Sequence, residues 1–254
     1  NSELVRGLVG AHASFTLEDE TLTACADLAA RWNTGIHIHV AEDPCDAEET
    51  RSKYGAELFQ RLQRFGILQP RSLLAHNIHL TPAELALARE SGAWLLHNPR
   101  SNMNNRVGHA AIQHFGNRSA IGTDGFPADM LEETRFGYFK AQEDNSGMAP
   151  HKMVAMLHRG NALAGEIFHL PFGAPMPGNV ADFVVMDYLP PTPMHEENLA
   201  AHVLFGMRAA MVESVMVQGK WIFRNRRWLH IDVQQIYEQA EAAANKLWEK
   251  MEKY

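Results

Sequence analysis

The stretch HIHVAED at residues 37–43 puts two histidines and a carboxylate within one short segment. In an extended strand His37 and His39 point to the same face, and Glu42 falls where the strand gives way to a loop. Imidazole nitrogen and carboxylate oxygen are donors that zinc accepts, and a catalytic zinc keeps one position open for water. The same stretch also reads as two buried histidines and a solvated glutamate, so the rest of the chain has to decide. Asp124 in the stretch GTDG is a second donor, which makes His39 and Asp124 the candidate metal ligands. A bound metal lowers the pKa of its water towards about 7. Glu42, close to that water without being a ligand, would carry a proton from it to a leaving group. His76 in LLAHNIHL would orient the water or the developing oxyanion.

These groups need elements to position them. Apolar, β-branched runs alternate with helical patterns from the start of the chain: GLVGAHA, GIHIHVA, SLLAHNIHL, AWLLHNP and RSAIGTDG read as strands. Between them, LEDETLTACADLAARW has apolar residues at helical spacing. YGAELFQRLQRFG reads as one helix with Tyr54, Leu58, Leu62 and Phe65 on a face, and TPAELALARESG has Thr81 as N-cap and Pro82 behind it. Strand–helix alternation predicts parallel pairing with right-handed crossovers. His12, His39, His76, His97 and Asp124 each end one of the five runs, roughly 20–40 residues apart, the length of a βα unit. In a (β/α)8 barrel the C-terminal strand ends form the active site, so five polar groups are expected to converge on one pocket. Five units are too few to close such a barrel.

A helical region is expected over about 126–169, after which the pattern changes. MPGNVADFVVMDYLPPTP and ESVMVQGKWIFRNRRWL read as β, the second as a hairpin turning at Gln218, Gly219 and Lys220. A final amphipathic helix is expected from about Val233 to Met251. The domain change is placed near Pro175, giving a barrel part over 1–174 and a small β part with a terminal helix over 175–254.

Composition narrows the function classes. The chain has 254 residues and a net charge of −7, without a long basic block, which argues against nucleic acid as the main partner. No apolar run approaches the roughly 20 residues a membrane span requires. No signal peptide is legible, and Cys25 and Cys45 do not suggest a disulfide framework, so a cytoplasmic protein is expected. The chain opens on Asn1 close to a strand, which reads as part of a longer protein.

The ordered series H-x-x-E, A-H-x-x-H-L, H-N-P-x-S-N and G-T-D-G resembles the amidohydrolase superfamily, in its cytosine deaminase, guanine deaminase and chlorohydrolase-like branch. HASFT, HIHVAE, LLAHNIHL, LLHNPRSNMNN and IGTDGF look like barrel strands four to eight of that branch. PTPMHEENLAAHVLFGM and ESVMVQGKWIFRNR resemble the SsnA-type aminohydrolases, so the likeness covers nearly the whole chain. The resemblance implies a partial (β/α)8 metal-dependent hydrolase barrel, followed by part of a small β-sandwich domain. It also implies hydrolytic deamination of a small nitrogenous, heterocyclic substrate with one divalent metal, commonly zinc, with ferrous iron as the alternative, and a homodimer.

Carried onto this sequence, His39 matches the strand-five ligand and Asp124 the strand-eight ligand, which can also accept a proton from the metal-bound water. Glu42 matches the proton shuttle, His76 the histidine beside the attacked atom, and His12 a substrate contact. Asn98, Ser101 and Asn102 are candidates for the pocket wall, with turn and helix-cap duty as their plainer reading. Glu42 and His76 would also touch substrate. The family's first barrel strand supplies an H-x-H pair; HIH at 37–39 is read as strand five rather than that pair, because too few strands follow it and the Ala41-Glu42 that comes next suits strand five, so the first-strand pair is not found here. His37 is therefore expected inside the barrel, below the metal, as a hydrogen-bonded core histidine, with direct substrate contact as the lesser alternative. Alternatives are a related hydrolase expelling chloride or an alkylamine, and a non-catalytic half-barrel that binds without turning over.

Overall fold

The computed structural model describes residues 4–253. They form two compact units, residues 4–179 with 190–209, and residues 180–189 with 210–253. The chain passes between them more than once, whereas one boundary near Pro175 would have put residues 190–209 in the second unit.

The first unit is built on a parallel sheet with strands in sequence order: β1 (Val9–Gly10), β2 (Ile36–Val40), β3 (Leu73–His76), β4 (Trp94–His97) and β5 (Ser119–Ile121). Its helices are α1 (Asp19–Trp32), α2 (Pro44–Tyr54), α3 (Leu58–Arg64), α4 (Pro82–Glu90), α5 (Pro99–Asn105), α6 (Met130–Glu143), α7 (Pro150–Phe168) and α8 (Glu196–Ala201). The single helix expected over YGAELFQRLQRFG is two. Tyr54 ends α2, Gly55 takes a left-handed φ of 60°, and α3 begins at Leu58. The first of these, PCDAEETRSKY, is too polar to show an apolar stripe, and it is started by Asp43 accepting from the Cys45 amide with Pro44 at the first position. Thr81 and Glu84 form the reciprocal cap of α4.

Register divides the sheet into two faces. His37 pairs with Leu73, His39 with Ala75, Ala75 with Leu96, and Leu96 with Ala120. Those residues share one face, on which Leu73, Trp94, Leu96 and Ala120 pack together with Leu8 and Leu163. The other face, with Ile36, Ile38, Val40, Leu74, Leu95 and Ile121, is the main core beneath the helices, against Leu22, Phe59, Leu62, Ala88 and Met153. This near-continuous apolar reading is what a parallel sheet covered by helices requires.

Residues 190–209 stay with the first unit because Leu204 is buried in its core and Arg135 on α6 donates to the Leu204 and Met207 carbonyls at 2.9 and 2.6 Å. The strand start at Gly35 is equally constrained: a Cβ there would come within 1.7 Å of the Arg71 carbonyl oxygen. Gly35→Ala is expected to destabilise the protein by about 3 kcal/mol or more. Chemical denaturation should show the loss as a lower midpoint at unchanged slope.

The second unit is one antiparallel sheet, β6 (Phe183–Met186), β7 (Val212–Val217), β8 (Lys220–Arg224) and β9 (Arg227–Trp228), with α9 (Val233–Met251) after it. Gln218 and Gly219 turn the β7–β8 hairpin with φ of 49° and 74°, the paired positive values that suit a two-residue hairpin turn. Among the described residues no helix is long and apolar enough to cross a membrane.

Candidate active site at the strand ends

At the C-terminal ends of the parallel strands lies a cavity of about 480 Å³, lined among others by His37, His39, His76, Asn98, Thr123 and Asp124. His39 points there by plain alternation. His76 does not: its register partner is Val40, so alternation would send it into the helix-covered core. A left-handed φ of 72° at His76 breaks the alternation and brings the imidazole onto His39, stacked at a ring separation of 5.2 Å. Asp124 has φ 53° and Ala41, before Glu42, has φ 51°. The rim turns after β2, β3 and β5 thus place non-glycine residues in a region such residues seldom occupy, the kind of strain that gathers at functional sites.

His76 is the hub. Its Nε2 lies 3.5 Å from Glu42 Oε2 and 4.0 Å from Asp124 Oδ2, and its side chain is buried. Nδ1 meets Asn102 Oδ1 at 2.9 Å, and its amide donates to Asn98 Oδ1 at 3.3 Å. The Ser101 hydroxyl donates to Asp124 Oδ2 at 2.5 Å, and Asn105 Nδ2 donates to Glu42 Oε1 at 3.2 Å. His12 is exposed and sits 5.2 Å from the His39 ring, with Thr16 Oγ1 3.2 Å from its Nδ1.

The Ser101 hydrogen bond, then the Gly125 amide and the nearby imidazoles, hold the Asp124 carboxyl below the usual carboxylate range. Burial, and next the neighbouring His76 and His12 rings, hold His39 below the usual imidazole range. His39 is thereby neutral at neutral pH, the form that ligates metals.

His39 and Asp124 are one nitrogen and one oxygen donor facing a common cavity, and His39 Nδ1 is buried without a hydrogen-bond partner. Among the described residues no three of His, Cys, Asp or Glu are placed to hold a metal ion. The donors present fit part of a metal site rather than a complete one.

A family model for the amidohydrolases matches residues 1–222. The chain is a member of the amidohydrolase family.

Curated relatives include the 5-methylthioadenosine/S-adenosylhomocysteine deaminase of Pelotomaculum thermopropionicum, 30% identical over 253 residues, 96% of this chain and 58% of the relative. The 5'-deoxyadenosine deaminase of Methanopyrus kandleri is 28% identical over 252 residues, again 96% of this chain and 58% of the relative. The chain thus spans little more than half the length of these proteins. Among solved structures, a zinc-bound adenosine deaminase from Xanthomonas campestris superposes with a TM-score of 0.84 at 24% identity, over 94% of this chain and 56% of that one. A mutant atrazine chlorohydrolase from Arthrobacter aurescens, complexed with zinc and atraton, gives 0.74 at 20%, over 92% and 54%. These likenesses show the fold: the five βα units are a portion of a (β/α)8 amidohydrolase barrel.

Two expectations about this amidohydrolase are corrected. His37 is not a hydrogen-bonded core histidine: it is exposed and lines the cavity, because the face of the open sheet that carries it is not covered at that point. Nor do all five strand-end groups converge. His97 pairs in register with Ile121 on the helix-covered face, is 1% exposed, and stands edge-on to His109 at 5.9 Å. Asn98, one residue on, lines the cavity instead.

Ser101 and Asn102 are buried, and their side chains engage Asp124 and His76. Asn105 was missed. Its signal is legible in retrospect, since Asn98, Ser101, Asn102 and Asn105 follow helical i, i+3, i+4, i+7 spacing as a polar stripe.

His97 carries a pH prediction. Both ring nitrogens lack a hydrogen-bond partner, and burial first, then the His109 and His76 rings, pushes its pKa down to about 3 from 6.5. Above pH 6.5 the imidazole is neutral in both folded and unfolded chains and adds no pH dependence. Below it the unfolded chain binds the proton and the folded one does not, so stability falls by up to about 1.4 kcal/mol per pH unit towards pH 3. Thermal melts from pH 7 to pH 5 should show this loss, and His97→Leu should flatten it; an unchanged pH slope in the variant would exclude His97 as the cause.

Proposed function

We propose that this chain is the part of a metal-dependent aminohydrolase that carries the proton-transfer groups, acting on an amino-substituted nitrogen heterocycle. The observation that carries the reading is the cluster at His76, with Glu42 and Asp124 at 3.5 and 4.0 Å from Nε2 and His39 stacked on the ring. His39 and Asp124 would hold a divalent ion, zinc by preference, together with donors from outside the described residues. When bound, that ion supplies an acidified water and charge stabilisation.

Glu42 takes a proton from the water that attacks the amino-bearing sp² carbon, and delivers it to the departing nitrogen. Ammonia leaves, the proton still on the oxygen passes by way of Asp124 to the adjacent ring nitrogen, and the carbon retains the water's oxygen as a carbonyl. His76 faces the developing charge on that oxygen, with its ring orientation set by Asn102. Asp124, kept ionised by Ser101 and Gly125, is the second proton acceptor. His12 and Asn98 bound the substrate at the cavity mouth and wall.

The names of the curated relatives support an aminopurine nucleoside as the first substrate class to assay. A homodimer in the cytoplasm is the assembly and location we propose with it, on the family resemblance. The test is elemental analysis and product assay on this chain and on the longest reading frame that encodes it. Stoichiometric zinc with ammonia release supports the reading. Release of chloride or an alkylamine without ammonia transfers it to the related hydrolases, and metal-free protein that binds heterocycles without turnover makes it a binding protein.

A further inference from the structure

Behind the site lies a charged group that the proposed reaction does not use. Asp46, in the first turn of α2, is 2% exposed. One of its oxygens accepts the Ser14 hydroxyl at 2.6 Å and the other accepts the Ala41 amide at 2.8 Å. Burying a carboxylate is costly unless donors compensate it, and here the two donors come from two separate segments.

Each segment carries a different site residue. Ser14–Thr16 is a short 3-10 turn that begins two residues after His12, with Ala13 as its N-cap. Ala41 is the strained φ 51° residue directly before Glu42, and its carbonyl accepts the Ile78 and His79 amides at 2.9 Å each, just beyond His76. Arg61 braces the first segment from beneath. It is 1% exposed, donates to the Ser14 and Leu17 carbonyls at 2.9 and 2.6 Å and to Asp19 at 2.9 Å, and lies 3.6 Å over the Tyr54 ring.

We propose that Asp46 is a positioning residue that couples the turn presenting His12 to the turn presenting Glu42, so that substrate contact and proton shuttle hold one geometry. An apolar residue could fill this space as well. The carboxylate turns one acceptor oxygen to each turn, which an apolar side chain cannot do. The proposal rests on the reading of His12 and Glu42 as site residues.

The experiment uses Ser14→Ala and Asp46→Asn in the longest reading frame, with two readouts. The first is amide hydrogen exchange, which needs no activity. S14A removes a bond on the His12 side only, and coupling requires that exchange at the Ala41 amide, across the carboxylate, speed up by about tenfold. The second is ammonia release: S14A should raise KM about fivefold with kcat nearly unchanged, whereas D46N should lower kcat as well, and the double variant should be no worse than D46N. Unchanged Ala41 exchange in S14A overturns the coupling. So does a D46N protein that melts lower yet keeps kcat and KM. If D46N does not fold, S14A carries both readouts by itself. Wild-type protein that releases no ammonia overturns the aminohydrolase reading instead, and the exchange result still decides the coupling.

Discussion

Glu42→Gln is expected to lower ammonia release by about 10²–10⁴-fold while leaving metal content and melting temperature where they were. The substitution keeps the shape and an acceptor for Asn105, which donates to Glu42 at 3.2 Å. What it removes is the ability to take a proton and return it beside His76 Nε2, 3.5 Å away. Steady-state kinetics on the metal-loaded protein, with elemental analysis of the same preparation, would check it. The loss should fall on kcat rather than KM, because the shuttle acts in the transition state more than in binding. A variant within tenfold of wild type would remove Glu42 from the mechanism.

His39→Ala is expected to abolish metal binding, from about one ion per chain to traces, and activity with it. The neighbouring His37→Ala is the comparison that gives this meaning. Both histidines project from the same face of β2 into the same cavity, but His37 is exposed whereas His39 carries a buried, unpartnered Nδ1 and stacks on His76. Metal should persist in His37→Ala. Its loss in both variants, or in neither, would show that His39 is not the ligand. Folding should survive the His39 change, since removing a buried nitrogen without a partner relieves desolvation rather than leaving a group unpaired.

The open sheet makes these predictions more pointed. In the first unit β1 and β5 are the sheet edges, and β1 has only two residues in the ladder. Edge strands of this kind are places where further chain can pair. For the metal site proposed above, further donors would have to approach the same rim, because His39 and Asp124 both face the one cavity.

The amino-acid sequence by itself determined the order of the strands, through the period of its apolar residues, though not the break between α2 and α3. Alternating runs of β-branched and helical spacing mark all five parallel strands, and the Gln218–Gly219 turn and the helix over Val233–Met251 are legible in composition and period alone. It also marked candidates for chemistry, since His39, Glu42, His76 and Asp124 have suitable types at the ends of β2, β3 and β5. Local pattern carries such information because hydrophobic burial and turn geometry act over a few residues.

Which way each group points was decided only in three dimensions. Strict alternation would bury His76 and leave the aim of Glu42 open; the left-handed turn at His76 directs it to the cavity and the one at Ala41 brings Glu42 to 3.5 Å from His76 Nε2, and such turns need tertiary hydrogen bonds to hold them. His97 ends its strand as the others do, yet with no such turn its parity sends it to the helix-covered face. The supports from Asn102, Asn105 and Asp46 likewise join residues far apart in the chain. No local period encodes them, because each depends on where a helix docks against the rim.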